Sequence, residues 1–542
     1  MSGREERLAR ALPAGLIALG IALRLRGYFS GRSLWIDEAS LALNVATRSF
    51  AELAQPLDYH QTAPLGYLWA ARAATGLFGV SEASLRLVAL LAGCGLLFAI
   101  WGLGRRIAGR RAGLAVLALT ALSPALVYFS GEAKPYASDA LVTVLLLWAA
   151  AAALGRKADA RSTAALALAG AAAVWCSATA VLVLGALGAV LLATGLRSRS
   201  RPRLAQAAVA GAAWLASFAG AWLMVYRQAS ESAYMRNYWD GAFLSMHSAR
   251  ALARSLKESS EVVWSVFVAV PSSVLQPRLE LALLAALALA VAGLAVAGFE
   301  RIRRTHRSAA AWIVAAPVLV AAAASLADLY PVATRLVLFL VPALLLLVGA
   351  GMVSVARVLA PRAEQAGVVA LAAVFGAMGL DPVGHRSVSS VRWTEAREAI
   401  EAIRSDTSAA PVYVYERGIP VYRFYSTDWR APDRPGAAPG RRELMGRPTG
   451  MRWRYGVGVA GQAPGPGWAE REARQIREAA APDIWVLFIH YVDEAERYLL
   501  PEIERQGGVR RQAIELRRAL LYRYHFPEGG TPWHTSIPAP GR

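Results

Sequence analysis

Cysteine is nearly missing from this sequence. Cys94 and Cys176 are the only two among 542 residues. Both fall inside apolar runs, where a thiol packs as a small hydrophobe, so neither a disulfide framework nor a thiolate metal site is implied. Charge is scarce as well: Asp, Glu, Lys and Arg make up 18% of the chain against 56% hydrophobic residues. That excludes a soluble enzyme of this size and indicates a polytopic membrane protein. Acids are the scarcer sign, 38 against 58 basic residues, for a net charge of +20. The basic excess forms no single patch, so nucleic acid is not an expected partner. It falls instead in short clusters between apolar runs: Arg4 to Arg10, Arg105 to Arg111, Arg156 to Arg161, Arg197 to Arg203, Arg301 to Arg307, and Arg357 with Arg362. This is the pattern of cytoplasmic, positive-inside loops. A convincing internal period or inverted duplication is also missing, which disfavours a transporter built from repeats. The first apolar run lacks a small-residue cleavage site and ends in Arg24 and Arg26, so it is expected to be a retained anchor.

Apolar runs near 11–27, 84–104, 112–130, 137–155, 162–177, 179–196, 204–226, 279–299, 309–328, 335–354 and 366–380 are long enough to predict about eleven transmembrane helices. With a cytoplasmic N-terminus, all six basic clusters then lie inside and the C-terminal region outside. One segment, Pro64 to Phe78, is apolar but short and carries Arg72. If it crossed, the Arg105 to Arg111 cluster would face outward, so it reads as an interfacial or re-entrant helix. Residues 28–83 become one large outer loop, and long structured loops between spans are often functional.

That loop holds Ser33-Leu34-Trp35-Ile36-Asp37-Glu38, an adjacent acid pair just past the first span. Two carboxylates there must sit in water or a polar cavity, where one can serve as a base, or they cap the helix that follows. The next outer turn, Glu132-Ala133-Lys134-Pro135-Tyr136 with Asp139, is broken by proline. Lys134 can snorkel and Asp139 can cap, as alternatives to roles in a site. A third outer segment, 227–278, carries aromatic residues of the belt-anchor kind. Arg335 opens a span on the outer side, where it needs a partner: a phosphate, whose oxygens match its guanidinium fork, or an internal acid such as Asp328. From Asp381 the composition turns polar, and short apolar runs alternate with amphipathic segments as in a small α/β domain. Residues 431–470 read as a long loop. This region shows no phosphate loop, metal-ligand spacing or nucleophile elbow.

In combination, the Asp37-Glu38 pair, Gln61-Thr62-Ala63-Pro64, Glu82 with Arg86, the Glu132-Ala133-Lys134-Pro135-Tyr136 turn with Asp139, and Tyr330-Pro331 with Arg335 resemble the GT-C membrane glycosyltransferases. Within that group the chain is similar to bacterial relatives of protein O-mannosyltransferases and lipid A aminoarabinose transferases. The resemblance covers residues 10 to 380. It implies a GT-C-like transmembrane catalytic domain over 1–381 and an extracytoplasmic α/β domain over 382–542. It further implies an enzyme of the cell (inner) membrane that moves a sugar, with inversion, from a polyprenyl-phosphate donor to an acceptor hydroxyl at the outer face. The acceptor would be an envelope glycan, glycolipid or protein. In that family the first-loop Asp is the usual base, which assigns catalysis to Asp37 with Glu38 as neighbour or substitute. Gln61, Lys134, Tyr136, Asp139 and Arg335 would bind donor or substrate. Some relatives use a divalent cation and others do not; Asp37 and Glu38 alone are a thin ligand set, so no metal site is assigned. A transporter, whose charges would lie deep inside several spans, and an envelope glycan-binding protein are the competing classes.

Overall fold

The structure, a computed structural model, describes residues 3–227, 239, 241–269, 275–305, 308–333, 335–359, 364–379, 395–408, 410–427, 429, 443–445, 465–480, 482–489 and 493–527. Eight helical segments within it are long and apolar enough to cross a membrane. They are Ala11–Tyr28, the C-terminal part of α1 (Gly3–Tyr28); α4 (Glu82–Ile107); α7 (Tyr136–Gly155); α9 (Ala180–Arg197); Arg201–Tyr226, which comprises α10 (Arg201–Ala221) and a terminal π turn; α12 (Pro277–Thr305); α13 (Ser308–Leu326); and Leu338–Leu359, which contains α14 (Val341–Leu359).

The three remaining runs of the expected eleven differ from these in the structure. Residues 112–130 split at Ser123-Pro124 into α5 (Arg110–Leu122) and α6 (Pro124–Phe129). The other two are shorter helices, α8 (Ala160–Cys176) and α15 (Glu364–Gly379). The split has a clear cause. Pro124 has no N–H to offer the carbonyl of Thr120 one turn back. Arg24, fully buried in the first span, donates to that carbonyl at 3.2 Å and to Gly20 O at 2.9 Å. A charge inside an apolar run therefore supplies the donor that a proline removed. The Pro64 to Phe78 segment forms α3 (Leu65–Phe78), packed on α4 and on α8. Gly66 makes the second contact possible, because a Cβ there would lie 2.9 Å from the carbonyl oxygen of Trp175.

The membrane core is built on α4, α5 and α14. Small residues let backbones touch: a Cβ on Gly298 of α12 would lie 1.8 Å from Leu347 O of α14, and one on Gly351 would lie 1.9 Å from Leu294 O.

Before the C-terminal sheet come α11 (Ala249–Phe267) and, beyond the membrane core, α16 (Ala396–Ser405). The sheet has five strands in the order β2-β1-β3-β5-β4: β1 (Val412–Val414), β2 (Glu443–Met445), β3 (Asp483–Ile489), β4 (Val509–Leu516) and β5 (Ala519–His525). β1 pairs in parallel with β2 and β3, whereas β3 and β4 flank β5 antiparallel. Alternation sorts the side chains onto two faces. Tyr413, Val486 and Tyr522 pack against α18 (Pro466–Ala479) and α19 (Asp493–Arg505). Val412, Val414, Trp485 and Leu521 join a second core with α2 (Ile36–Thr47), α3, α16 and α17 (Ile419–Ser426). The first loop and the C-terminal sheet thus share one hydrophobic core. The boundary expected at 381 lies outside the described residues, as does most of the 431–470 loop.

Candidate active site

The acid pair occupies the first turn of α2, and its two members have different surroundings. Glu38 is buried and closes the helix start, accepting from the backbone N–H of Trp35 at 3.1 Å. Its carboxylate also accepts from Nε and Nη2 of Arg86, at 2.9 and 2.8 Å, and from the N–H of Ala133 at 2.8 Å. Arg86 in turn donates to the carbonyls of Arg32 and Ser33. This saturated pair locks the start of α4, the 32–38 turn and the 132–134 turn to one another. Burial alone would raise the Glu38 carboxyl, but Arg86 outweighs it and pulls it down to about 2. With both oxygens engaged, Glu38 positions backbone and is not poised to accept a proton.

Asp37 instead is partly open, with 22% of its side chain exposed. Its Oδ2 accepts from Arg335 at 2.5 Å, across 298 residues of sequence. Arg335 therefore pairs with Asp37, where the sequence offered Asp328 or a phosphate. Its guanidinium also lies over the ring of Trp239, 5.2 Å from the centroid. Burial would raise the Asp37 carboxyl, but Lys134 and Arg335 together hold it below the usual carboxylate range.

Lys134 is buried in the turn before α7, and its Nζ donates to Gln61 Oε1 at 2.5 Å. Gln61 reaches it from a turn in which Tyr59 and His60 both have left-handed backbones, φ 59° and 53°. Side chains rarely adopt that conformation, and two in succession mark a turn held by its surroundings. Asn44 of α2 holds it, bonding to both the N–H and the carbonyl of Asp58. Tyr136 begins α7 with its ring edge-on to Phe129 at 5.3 Å. Asp139 is buried one turn along, and its Oδ1 makes no hydrogen bond among the described residues.

Sequence reasoning did not assign Arg32 and Glu132 to the site. Arg32 lies over the ring of Tyr128 at 4.6 Å and bonds to Gly131 O, so its guanidinium backs the turn. Glu132 is buried, and burial first, then Glu38 beside it, push its carboxyl up to about 7 against the pull of Arg32 and Arg335. Spacing could have pointed to Glu132, which is two residues from Lys134; nothing local marks Arg32. The cluster contains four cations, Arg32, Arg86, Lys134 and Arg335, and four carboxylates, Asp37, Glu38, Glu132 and Asp139. These charges balance when all are ionised, and the cluster becomes cationic when Glu132 holds a proton. Among the described residues no three His, Cys, Asp or Glu side chains gather as metal ligands. The donor set gives the same answer: Glu38 is saturated and Asp37 is ion-paired, so a divalent ion fits poorly here.

The raised Glu132 carboxyl has a measurable consequence. Between the ordinary carboxylate value of 4.5 and about 7, the folded chain keeps a proton that the unfolded chain has lost, so stability falls as pH rises through that window. Glu132→Gln is expected to flatten this slope and to be about 1–3 kcal/mol more stable than the parent at pH ~8. Thermal unfolding in detergent across pH reads it, and an unchanged slope would show that Glu132 ionises normally.

Fold and cluster together define a polytopic membrane protein with a site of paired cations and carboxylates at one end of its helix bundle. Residues 62–222 match the family model of dolichyl-phosphate-mannose-protein mannosyltransferases, a stretch that contains Glu132, Lys134, Tyr136 and Asp139 but neither Asp37 nor Arg335. No curated protein matches the chain in sequence. In structure, it is similar to ArnT from Cupriavidus metallidurans bound to undecaprenyl phosphate, with a TM-score of 0.57 at 13% identity, over 94% of this chain and 97% of that one. The apo form of the same protein gives a TM-score of 0.54 at 15% identity, over 94% and 98%. The Archaeoglobus fulgidus oligosaccharyltransferase in complex with Zn and sulfate gives 0.50 at 15% identity, over 92% of this chain and 71% of that one. The fold shared with these proteins is the GT-C fold.

Proposed function

We propose that this protein is an inverting glycosyltransferase of the cell membrane, transferring a sugar from a polyprenyl-phosphate donor to an acceptor hydroxyl. The observation that carries the reading is the Asp37 carboxylate held between Arg335 and Lys134. The acceptor oxygen attacks the anomeric carbon as its proton passes to Asp37, and the bond from that carbon to the phosphate oxygen breaks. The electron pair leaves with the phosphate, whose growing charge Lys134 and Arg335 meet. A single displacement of this kind inverts the anomeric centre.

In the resting site Arg335 holds Asp37, which weakens the carboxylate as a base. A donor phosphate competes for the same guanidinium, so donor binding releases Asp37 and raises its basicity just where the proton must go. Asp139, with one carboxylate oxygen uncommitted, would orient the sugar or the acceptor; Gln61 and Tyr136 would complete the donor contacts. The basic clusters at the opposite end of the bundle support an outer-face location for this end and for the C-terminal domain. Envelope glycans, glycolipids and proteins are the acceptor classes.

The test uses full-length chain in phosphatidylcholine vesicles with polyprenyl-phosphate-linked sugars and an envelope extract, following release of polyprenyl phosphate. Release by the parent chain is expected, with Lys134→Gln slower by about 10²–10³-fold. A parent chain that neither binds polyprenyl phosphate nor releases it would overturn the reading.

A further inference from the structure

A second cluster of charge, this one of arginines, lies at the other end of α4. Arg86 sits one turn into that helix and Arg105 in its last turn, a separation of about 29 Å along the axis. There α1, α4, α5 and α7 border an open cavity of about 860 Å³. Arg105 and Arg106 reach it from α4 and Arg110 from α5, with Trp101 and Trp148 among its walls and the turn from Pro13 to Ile17 of α1 along another side. Among the described residues no Asp or Glu lines it.

Local sequence builds this arrangement. Gly109, with φ +86°, turns the chain within two residues of the end of α4, so that α5 begins at Arg110 beside Arg105 and Arg106. Gly102 lets the Trp148 ring press onto α4, since a Cβ there would lie 2.1 Å from the indole. Arg106 extends towards the end of α7, where a Cβ on Gly155 would lie 3.1 Å from its Nη2. Positive-inside topology explains basic residues at this end, but it does not require them to converge on an indole-walled cavity.

We propose that this cavity is a binding site for a phosphate group, and specifically for the headgroup of an anionic phospholipid in the cytoplasmic leaflet. Guanidinium forks match phosphate oxygens, and the indoles suit the glycerol and first methylenes at the depth where tryptophan prefers to lie. Basic pockets between transmembrane helices on this side bind acidic headgroups. The volume falls in the range of small-ligand sites. This site is separate from the cluster around Asp37 and does not depend on the transfer reaction.

The experiment is native mass spectrometry of the full-length chain with phosphatidylglycerol or phosphatidylcholine, each with and without inorganic phosphate. Selective retention of phosphatidylglycerol is expected, weakened about tenfold or more by R105Q/R106Q and largely kept by R105K/R106K. Displacement by inorganic phosphate would assign the site to free phosphate and overturn the lipid headgroup as ligand. Should R105Q/R106Q fold poorly, a photoreactive phosphatidylglycerol on the parent chain replaces it, with crosslinks expected in the peptides around Pro13 to Ile17 and Trp101 to Arg106. Equal retention of both lipids, unchanged retention in R105Q/R106Q, or crosslinks only elsewhere would overturn the proposal.

Discussion

Asp37→Asn is expected to slow sugar transfer by about 10²–10⁴-fold, the range that a positioned proton acceptor contributes. The amide keeps an oxygen for Arg335 at nearly the same place, so the site should stay assembled. What it loses is the ability to take a proton and the charge that ties up the guanidinium. Donor affinity should therefore hold or tighten while turnover collapses, a split that plain misfolding does not produce. Initial rates against donor concentration, with donor binding measured separately, decide it. Unimpaired turnover would remove Asp37 as the base, and weaker donor binding at normal turnover would make it a binding residue instead.

The second large effect concerns stability. Glu38→Ala leaves the buried Arg86 guanidinium without its counter-charge and strips acceptors from the N–H groups of Trp35 and Ala133. Breaking a buried pair from one side costs about 3–5 kcal/mol. The variant is expected to aggregate or to unfold well below the parent in detergent. Replacing both partners, as in Glu38→Gln with Arg86→Met, should recover a good part of the loss, because no lone charge remains buried. Little change in unfolding temperature for Glu38→Ala would show that Arg86 finds another partner. A pH signature accompanies the pair. The Glu38 carboxyl is depressed, so its contribution is complete above the ordinary value of 4.5 and is lost as pH falls towards about 2. This is opposite in sign to Glu132, whose window lies above 4.5, and the two can be separated by titrating each variant.

How much of this was legible in the sequence depends on distance along the chain. Runs of apolar residues set most of the bundle, because a helix in lipid satisfies its own backbone and needs only length and apolarity. The Ser123-Pro124 break was less visible: the run from 112 to 130 stays apolar, and hydropathy does not register one missing N–H. Lys134 and Asp139 drew attention because charges near a proline turn are conspicuous. That Asp37 lies against Arg335, and Glu38 against Arg86, could not be read, since such pairings join residues 298 and 48 positions apart and leave no periodic trace. Arg24 looked like an exception to an apolar span and turned out to serve the backbone of another helix. The alternating runs of the C-terminal region did announce a sheet with helices, but not that one face of the sheet would rest on α2.

Glu82 shows what that last contact demands. It is the acceptor for Tyr425 and the ion-pair partner of Arg397, 343 and 315 residues further along. Leu34 N–H waits for the same tyrosine hydroxyl, and the Tyr59 hydroxyl for Arg423. At synthesis rates of roughly 5–20 residues per second, the first loop stands unfinished for on the order of tens of seconds after it leaves the ribosome. Assembly of this protein is therefore closed from its far end: helices can insert in turn, but the contacts that hold the first loop and α2 form last. A chain released before residue 395 would carry all eight candidate spans found among the described residues and still expose the apolar flank of α2.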